Sequence, residues 1–180
     1  MKIRLNGLYR CAIACIISLS VSQTVFAQDN SGGEQDPPLI PKHLDMTKYV
    51  FQDTTGKDIS LSMFKGKYIL LDIWASWCRP CINEFPKLDS LQQVYMDKNL
   101  AVVQISCDQK KQPWLNGRFW YKRKGNQFWI NGNEDFMVDL QVAAIPRYML
   151  VDREGRLIEE KLPRPGSKEL DIILQGLEGI

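Results

Sequence analysis

The sequence predicts an α/β fold, in which a central mixed sheet has helices on both faces and carries an added N-terminal β-hairpin. A continuous apolar run at Tyr68–Trp74 is typical of a strand that is buried on both faces. Helical spacing starts at Arg79, and the order strand, helix, strand, helix, hairpin, helix continues to the end of the chain. A chain of 180 residues has room for one such domain.

The first 27 residues are predicted to be a secretory signal peptide. A positively charged start is followed by an apolar run from Cys11 to Val21, and Ala27 closes a segment that fits a cleavage site. The run has about half of the roughly 20 residues that a membrane-spanning helix needs. We therefore expect a periplasmic or otherwise extracytoplasmic protein that is cleaved after Ala27, with an uncleaved membrane anchor as the alternative.

Charge and composition separate a linker from the domain. Three of the 23 Lys and Arg residues and none of the 21 acidic residues lie in 1–27, so the rest of the chain has a net charge of −1 and gives no reason to expect nucleic-acid binding.

Residues 28–43 are rich in Gly, Pro and acidic residues, which predicts a linker and a domain spanning 44–180. One basic cluster is predicted to be a solvated face, with a docking patch for an acidic partner as the alternative; it comprises Arg118, Lys122, Arg123 and Lys124.

The first half of the domain contains the N-terminal hairpin and the first helix. Tyr49–Gln52 and Asp58–Leu61 flank a turn at 53–56 that suits a hairpin. Pro80 stands in the first turn of the helix, where its missing N–H does no harm, and Leu100–Ile105 is the next buried strand. The apolar stripe of the helix comprises Ile82, Phe85, Leu88 and Leu91.

The second half ends in a hairpin and a helix. Residues 107–142 predict one helix and a short strand, and the aromatic residues of 114–129 are assigned to the core, with a substrate groove as the alternative. Arg147–Val151 and Arg156–Glu160 form the second hairpin. Ser167 is the predicted N-cap of the last helix.

Two thiols, Cys78 and Cys81, lie at the junction of the buried strand with the first helix. Unpaired N–H groups and the helix dipole favour an anion there, so Cys78 should exist partly as the thiolate that attacks disulfides. Of the other cysteines, two belong to residues 1–27 and only Cys107 remains, so the close pair is the working part. A zinc site needs four ligands, whereas the chain offers one spare cysteine and His43; we predict no metal and no cofactor.

Two carboxylates accompany the thiols. Asp72 interrupts the apolar strand, where burial should raise its pKa and make it a candidate acid and base for Cys81. Glu84 lies one helical turn beyond Cys81 and has the same candidate role. The alternatives are a structural Asp72 that bonds to the backbone and a solvated Glu84.

The segment Ile69–Pro86, ILLDIWASWCRPCINEFP, resembles the active-site signature of the thioredoxin superfamily, and its W-A-S-W-C-x-P-C-x-x-E form resembles the TlpA/ResA-like exported branch. The resemblance covers about residues 44–180. It implies a thioredoxin fold in which Cys78 is the nucleophile and Cys81 is buried.

The resemblance also implies further site residues. Pro146, after Ile145, would be a cis-proline opposite the cysteine pair, and Asp72 matches the buried aspartate of thioredoxins. Glu84 stands where the exported branch often has a glutamate. Trp77 precedes the nucleophile, and we predict an exposed contact surface there, with core packing as the alternative. Trp77, Ile145 and Pro146 are the predicted substrate-binding residues.

These observations predict a thiol-disulfide oxidoreductase that acts on disulfides of partner proteins. Arg79-Pro80 and Ile145 resemble reducing members of the family, which favours a reductase recharged by a membrane electron donor, with the reverse direction as the alternative. A non-turnover client- or metal-binding protein is the second hypothesis, although copper-handling relatives usually carry C-x-x-x-C and a later histidine. The sequence does not name the substrate, which is an apocytochrome in cytochrome c maturation, another enzyme or a general pool.

Overall fold

A mixed sheet of seven strands runs through the described part of the chain in the computed structural model, which describes residues 40–41 and 43–180. The predicted signal segment and nearly all of the predicted linker lie outside the described residues. The strands are β1 (Val50–Gln52), β2 (Asp58–Ser60), β3 (Tyr68–Trp74), β4 (Leu100–Ser106), β5 (Asn126–Trp129), β6 (Arg147–Val151) and β7 (Leu157–Glu159). The α-helices are α1 (Arg79–Val94), α2 (Lys111–Trp120), α3 (Glu134–Asp139) and α4 (Lys168–Gln175), and short 3₁₀ helices span Met46–Lys48 and Leu61–Phe64.

The strands lie in the order β2-β1-β5-β4-β3-β6-β7. The central strands β3, β4 and β5 are parallel, whereas β6 joins β3 antiparallel and β7 joins β6 antiparallel. At the other edge β1 and β2 form an antiparallel hairpin, and β1 pairs with β5. The predicted α/β class with a mixed sheet is confirmed.

The two faces of the sheet bury two separate apolar clusters, because side chains alternate along each strand. Odd-numbered residues of β3 and β4 join one cluster, which α3 covers with Phe136. Even-numbered residues such as Leu70 and Trp74 join the other, which contains α1, Trp114 of α2 and Leu170 of α4. The helix that follows the cysteines therefore packs on the same face as Leu70 and Trp74.

Residues 107–142 contain one more element than expected. The predicted helix and short strand are α2 and β5, but α3 is an additional helix of six residues. Asn133 caps it, because its side chain accepts a hydrogen bond from the N–H of Phe136. Phe136 is completely buried in the core, so packing rather than helical periodicity stabilises so short a segment.

Two predictions for this region are wrong at some of their residues, although Trp114 and Phe128 lie in the core as expected. Phe119 and Trp120 are exposed, at 74% and 73%, because α2 buries Trp114 and Gly117 and leaves these two on its outer side. Arg123 is buried, unlike the solvated position expected for the whole basic cluster, because an ion pair with Asp89 and a hydrogen bond to Gln104 Oε1 compensate its charge.

The C-terminal elements match their predicted places closely. The second hairpin joins β6 to β7, and the Ser167 side chain accepts a hydrogen bond from the N–H of Leu170 at the start of α4. Leu170 and Leu174 of that helix are fully buried. Within residues 40–41 and 43–180, we find no helix with the length and apolar character required to cross a membrane.

Candidate active site

The cysteine pair occupies the first turn of α1, directly after the loop that follows β3. Cys78 is the N-cap of the helix, and its Sγ accepts a hydrogen bond from the backbone N–H of Cys81 at 3.2 Å. Cys78 and Cys81 form a disulfide with a Cα–Cα distance of 5.3 Å. The side chains are almost completely buried, Cys81 more deeply than Cys78. The same N–H that contacts Sγ in the disulfide is placed to stabilise a thiolate on Cys78 after reduction.

Pro146 lies at the same edge of the sheet as the disulfide. The Ile145–Pro146 peptide bond is cis, as the resemblance implies. Strand β6 begins with Arg147 opposite Ile73 of β3, so Pro146 falls one residue beyond that pair, where β3 ends and the loop to Cys78 begins. Ile145 is partly buried and packs against both apolar clusters.

In the loop before Cys78, Trp77 is exposed, whereas Ser76 is held by hydrogen bonds. Trp77 is 69% exposed, so it does not pack into the core. Ser76 donates from its N–H and from its hydroxyl to the carboxylate of Asp108, at 2.9 Å and 2.7 Å. The hydroxyl of Ser106 donates to the same carboxylate at 2.6 Å. Sequence reasoning did not identify Asp108 as a site residue. The available signal was its position just after a buried strand, because that end of the strand lies at the same edge of the sheet as the active-site loop.

Cys107 follows β4 at this edge and is half-buried. Its backbone N–H donates to the carbonyl of Trp74, at the end of β3. Burial raises the pKa of the Cys107 thiol to about 11, with a further contribution from the charge of Asp108. A thiol with this pKa is protonated at neutral pH and is a poor nucleophile, which agrees with a packing role.

Asp72 is buried beneath α1. Its side chain lies on the same face of β3 as Leu70 and Trp74, the face that α1 covers with Cys81. The carboxyl Oδ2 accepts a hydrogen bond from Gln104 Nε2 at 2.6 Å, whereas Oδ1 has no hydrogen-bond partner among the described residues. Burial raises the pKa of Asp72 to about 7, although Gln104 and Arg123 act in the opposite direction.

A row of polar side chains crosses the sheet at the level of Asp72. Tyr148 of β6, Asp72, Gln104 of β4 and Gln127 of β5 stand directly opposite one another on successive strands and are all buried. The side-chain oxygen of Gln104, Oε1, accepts hydrogen bonds from the Arg123 guanidinium and from the Gln127 side-chain amide. Sequence reasoning missed Gln104, but its signal is the same as that of Asp72, a polar residue inside a buried apolar run.

Glu84 is buried and ion-paired, so the alternative of a solvated side chain is wrong. It is 5% exposed, and its carboxylate contacts Lys87 Nζ at 3.0 Å and the Arg164 guanidinium at 3.4 Å. The Lys87 and Arg164 side chains are each more than half exposed, so the negative charge of Glu84 is compensated from the solvent side of α1. Burial raises the pKa of Tyr148, and Asp72 and Glu84 add to this effect, which places all three groups within electrostatic reach of one another.

Comparisons with known proteins agree with this geometry. Residues 40–174 match the family described as Redoxin. The thiol-disulfide oxidoreductase ResA of Bacillus thuringiensis is 25% identical over 166 residues, which are 91% of this chain and 92% of that protein. A crystal structure of a candidate thiol-disulfide oxidoreductase from Bacteroides vulgatus has a TM-score of 0.69 at 28% identity, over 76% of this chain and 96% of the other. A solution structure of another such candidate from Bacteroides vulgatus has a TM-score of 0.66 at 37% identity, over 73% and 88%.

Proposed function

Since the chain belongs to the Redoxin family and is a thiol-disulfide oxidoreductase of the TlpA/ResA-like branch of the thioredoxin superfamily, we propose that it reduces disulfides of partner proteins outside the cytoplasm. The observation that carries the proposal is the Cys78–Cys81 disulfide in the first turn of α1, with the buried carboxyl of Asp72 under the same helix. This arrangement supplies a nucleophile, a second thiol and a titrating group in one place.

The reaction starts from the reduced pair. The Cys78 thiolate attacks one sulfur of the partner's disulfide, so that a mixed disulfide forms and the partner's other sulfur leaves as a thiolate that takes up a proton. Cys81 then loses its proton and attacks the Sγ of Cys78. The intramolecular disulfide closes, and the partner leaves with two thiols, having received two electrons.

Asp72 is the proposed acid and base for Cys81. Cys81 is 1% exposed, so its proton needs an acceptor inside the protein. The pKa of Asp72 of about 7 lies near neutral pH, where a carboxyl group can both accept and release a proton, and its Oδ1 is free of other hydrogen bonds in the described structure. Glu84 is held by Lys87 and Arg164, which supports Asp72 over Glu84 as the main proton acceptor.

Trp77, Ile145 and Pro146 are the proposed contacts for the partner chain. Trp77 offers a large exposed aromatic surface one residue before the nucleophile, and such rings contribute strongly to protein contacts. Ile145 and Pro146 lie at the end of β3 beside the same loop. A partner segment that crosses this edge would therefore meet the disulfide and these three residues together.

The proposed direction and location rest on features of the sequence. Residues 1–27 have the features of a signal peptide, and the Arg79-Pro80 dipeptide resembles reducing members of the family. In an oxidising compartment a reductase must be recharged, and we assign that role to a membrane electron donor. The proposed substrate class is protein disulfides, with an apocytochrome, another enzyme or a general pool of proteins as the alternatives.

A trapping experiment tests the assignment of the two thiols. The Cys81→Ser protein should accumulate mixed disulfides with partner proteins, because Cys78 can still attack but nothing resolves the product. The Cys78→Ser protein should accumulate none, and Cys107→Ser is the control that should behave as the parent. Trapping by Cys78→Ser alone would reverse the assignment.

A redox titration of the Cys78–Cys81 pair tests the direction. A reductase should have a reduction potential close to that of thioredoxin, about −270 mV, rather than that of the oxidant DsbA, about −120 mV. A value near the oxidising end would contradict the reductase proposal while leaving the exchange chemistry intact.

A further inference from the structure

Arg123 carries a positive charge inside the protein, close to the proposed site. It lies between α2 and β5, and its side chain is 1% exposed. One guanidinium nitrogen contacts the Asp89 carboxylate at 2.7 Å, another donates to Gln104 Oε1 at 2.6 Å, and the guanidinium lies 4.1 Å from the centre of the Phe85 ring. Because arginine keeps its proton in proteins, these contacts hold a permanent cation beneath α1.

Arg123 determines which way the Gln104 amide faces. An amide group has one acceptor oxygen and one donor nitrogen, and a guanidinium can only donate. Arg123 and Gln127 both donate to the Gln104 oxygen, and Gln127 is itself fixed because its nitrogen also donates to the carbonyl of Lys124. A flipped Gln104 would set its nitrogen against two donors. The amide nitrogen is therefore directed at Asp72 Oδ2, to which it donates.

Titratable and charged groups surround Asp72 on several elements. Glu84 faces it from α1, Tyr148 from β6, Cys107 from the end of β4 and Arg123 from the segment before β5. Of these groups, Arg123 is the one that carries a positive charge. The glutamate opposes ionisation of the Asp72 carboxyl and the arginine favours it.

We propose that Arg123 is a positioning residue for disulfide exchange, which acts through the Gln104 amide to hold Asp72 Oδ2 in place and to let the carboxyl ionise in an apolar interior. Asp72 Oδ1, which has no hydrogen-bond partner among the described residues, is then available to the Cys81 proton. This inference rests on the proposed function of Asp72 as the base for Cys81. Without the cation, Asp72 would remain protonated to higher pH and would accept that proton only under more alkaline conditions.

The test is a titration of Asp72 by carbon NMR of its carboxyl group in the full-length disulfide form. Arg123→Gln removes the charge and retains an amide donor, and should raise the midpoint by about one pH unit, the low end of what a nearby opposite charge contributes. Arg123→Lys retains the charge and should restore a midpoint close to the parent's. Lys122→Gln, which removes an exposed positive charge from the same segment, is the control and should change the midpoint little.

A second variant keeps the proposal testable if the arginine substitutions unfold the protein. Gln104→Leu retains Arg123 but removes the amide that connects it to Asp72, so it should also raise the pH at the midpoint of the Asp72 titration. An unchanged midpoint in folded Arg123→Gln or in folded Gln104→Leu would overturn the inference.

Stopped-flow measurement of the release step separates this inference from the function on which it rests. The pH profile of Cys81 attack should move to higher pH by the same amount in Arg123→Gln. Adding Arg123→Gln to Asp72→Asn should not move the profile, because the group through which Arg123 acts is then absent. A shifted Asp72 midpoint with an unshifted rate profile would support the coupling of Arg123 to Asp72 and would contradict the role of Asp72 as the base.

Discussion

Replacing Asp72 with Asn should make the folded protein more stable at neutral and alkaline pH than the parent, and the gain should grow with pH. The folded-state pKa of Asp72 is about 7, above the ordinary value of 3.8 that applies in the unfolded chain. Between these values the unfolded chain releases its proton while the folded protein retains it. Unfolding is therefore favoured increasingly as the pH rises above 3.8, and the effect levels off above 7.

The size of the effect follows from the two pKa values. One pKa unit corresponds to about 1.4 kcal/mol, so the buried carboxyl costs the parent roughly 1.7 kcal/mol at pH 5 and roughly 4 kcal/mol at pH 8. Asn can place its oxygen where Oδ2 accepts from Gln104, but its NH₂ then takes the place of Oδ1, which lacks a partner in the described structure. An unpaired buried NH₂ costs about 1–3 kcal/mol at every pH. The variant should therefore equal the parent near pH 5 and exceed it by roughly 1–3 kcal/mol at pH 8.

Urea unfolding of both proteins in the disulfide form, followed by tryptophan fluorescence at pH 5 and pH 8, measures this difference. The dependence of the unfolding free energy on urea should be the same for both, so that a change in midpoint reports stability. Asp97→Asn makes the same chemical change at an exposed position and is the matched control. A stability difference between Asp72→Asn and the parent that stays constant from pH 5 to pH 8 would show that Asp72 does not titrate between these limits, and would refute the reasoning.

Three further predictions concern other parts of the molecule. The exported protein should have an intact mass that lacks residues 1–27, and a mass that retains them would indicate an anchored form. Gly117→Ala should destabilise the protein by about 1–3 kcal/mol in urea unfolding, because a Cβ there would lie 2.8 Å from the Cβ of Ser76; unchanged stability would contradict this contact. Trp77→Ala should lower kcat/KM for protein disulfides more than for a small disulfide, with an unchanged midpoint of thermal unfolding, and equal losses for both substrates would argue against a contact surface.

The central strands and the first helix could be predicted because their signals are local. A seven-residue apolar strand, β3, and the helical spacing after Cys78 do not depend on distant residues, and the same is true of the Ser167 cap. The burial of Asp72 followed from its place within such a strand. Ile145 and Pro146 lie beside the loop between β3 and Cys78 because β6 pairs with β3. The resemblance to a known family implied this position, whereas composition alone could not predict it.

The surroundings of Arg123 could not be predicted, because they depend on which neighbours meet in space. Arg118, Lys122, Arg123 and Lys124 are equivalent in composition, yet only Arg123 reaches both Asp89 and Gln104 and is buried. Phe119 and Trp120 have the character of core residues, but the face of α2 that packs inward is the one with Trp114 and Gly117. Hydrophobicity alone does not identify the buried side of so short a helix.

The polar row across the sheet has a consequence for how the strands assemble. A shift of β4 by one residue against β3 would turn Gln104 to the other face, among apolar side chains, and would set Val103 or Ile105 opposite Asp72. The carboxyl would then be buried without its donor, at a cost of about 1–3 kcal/mol or more. Strands made only of Leu, Val and Ile would tolerate such misalignment better. Asp72, Gln104 and Gln127 therefore make the correct alignment of three parallel strands distinguishable from its nearest competitors while the chain folds.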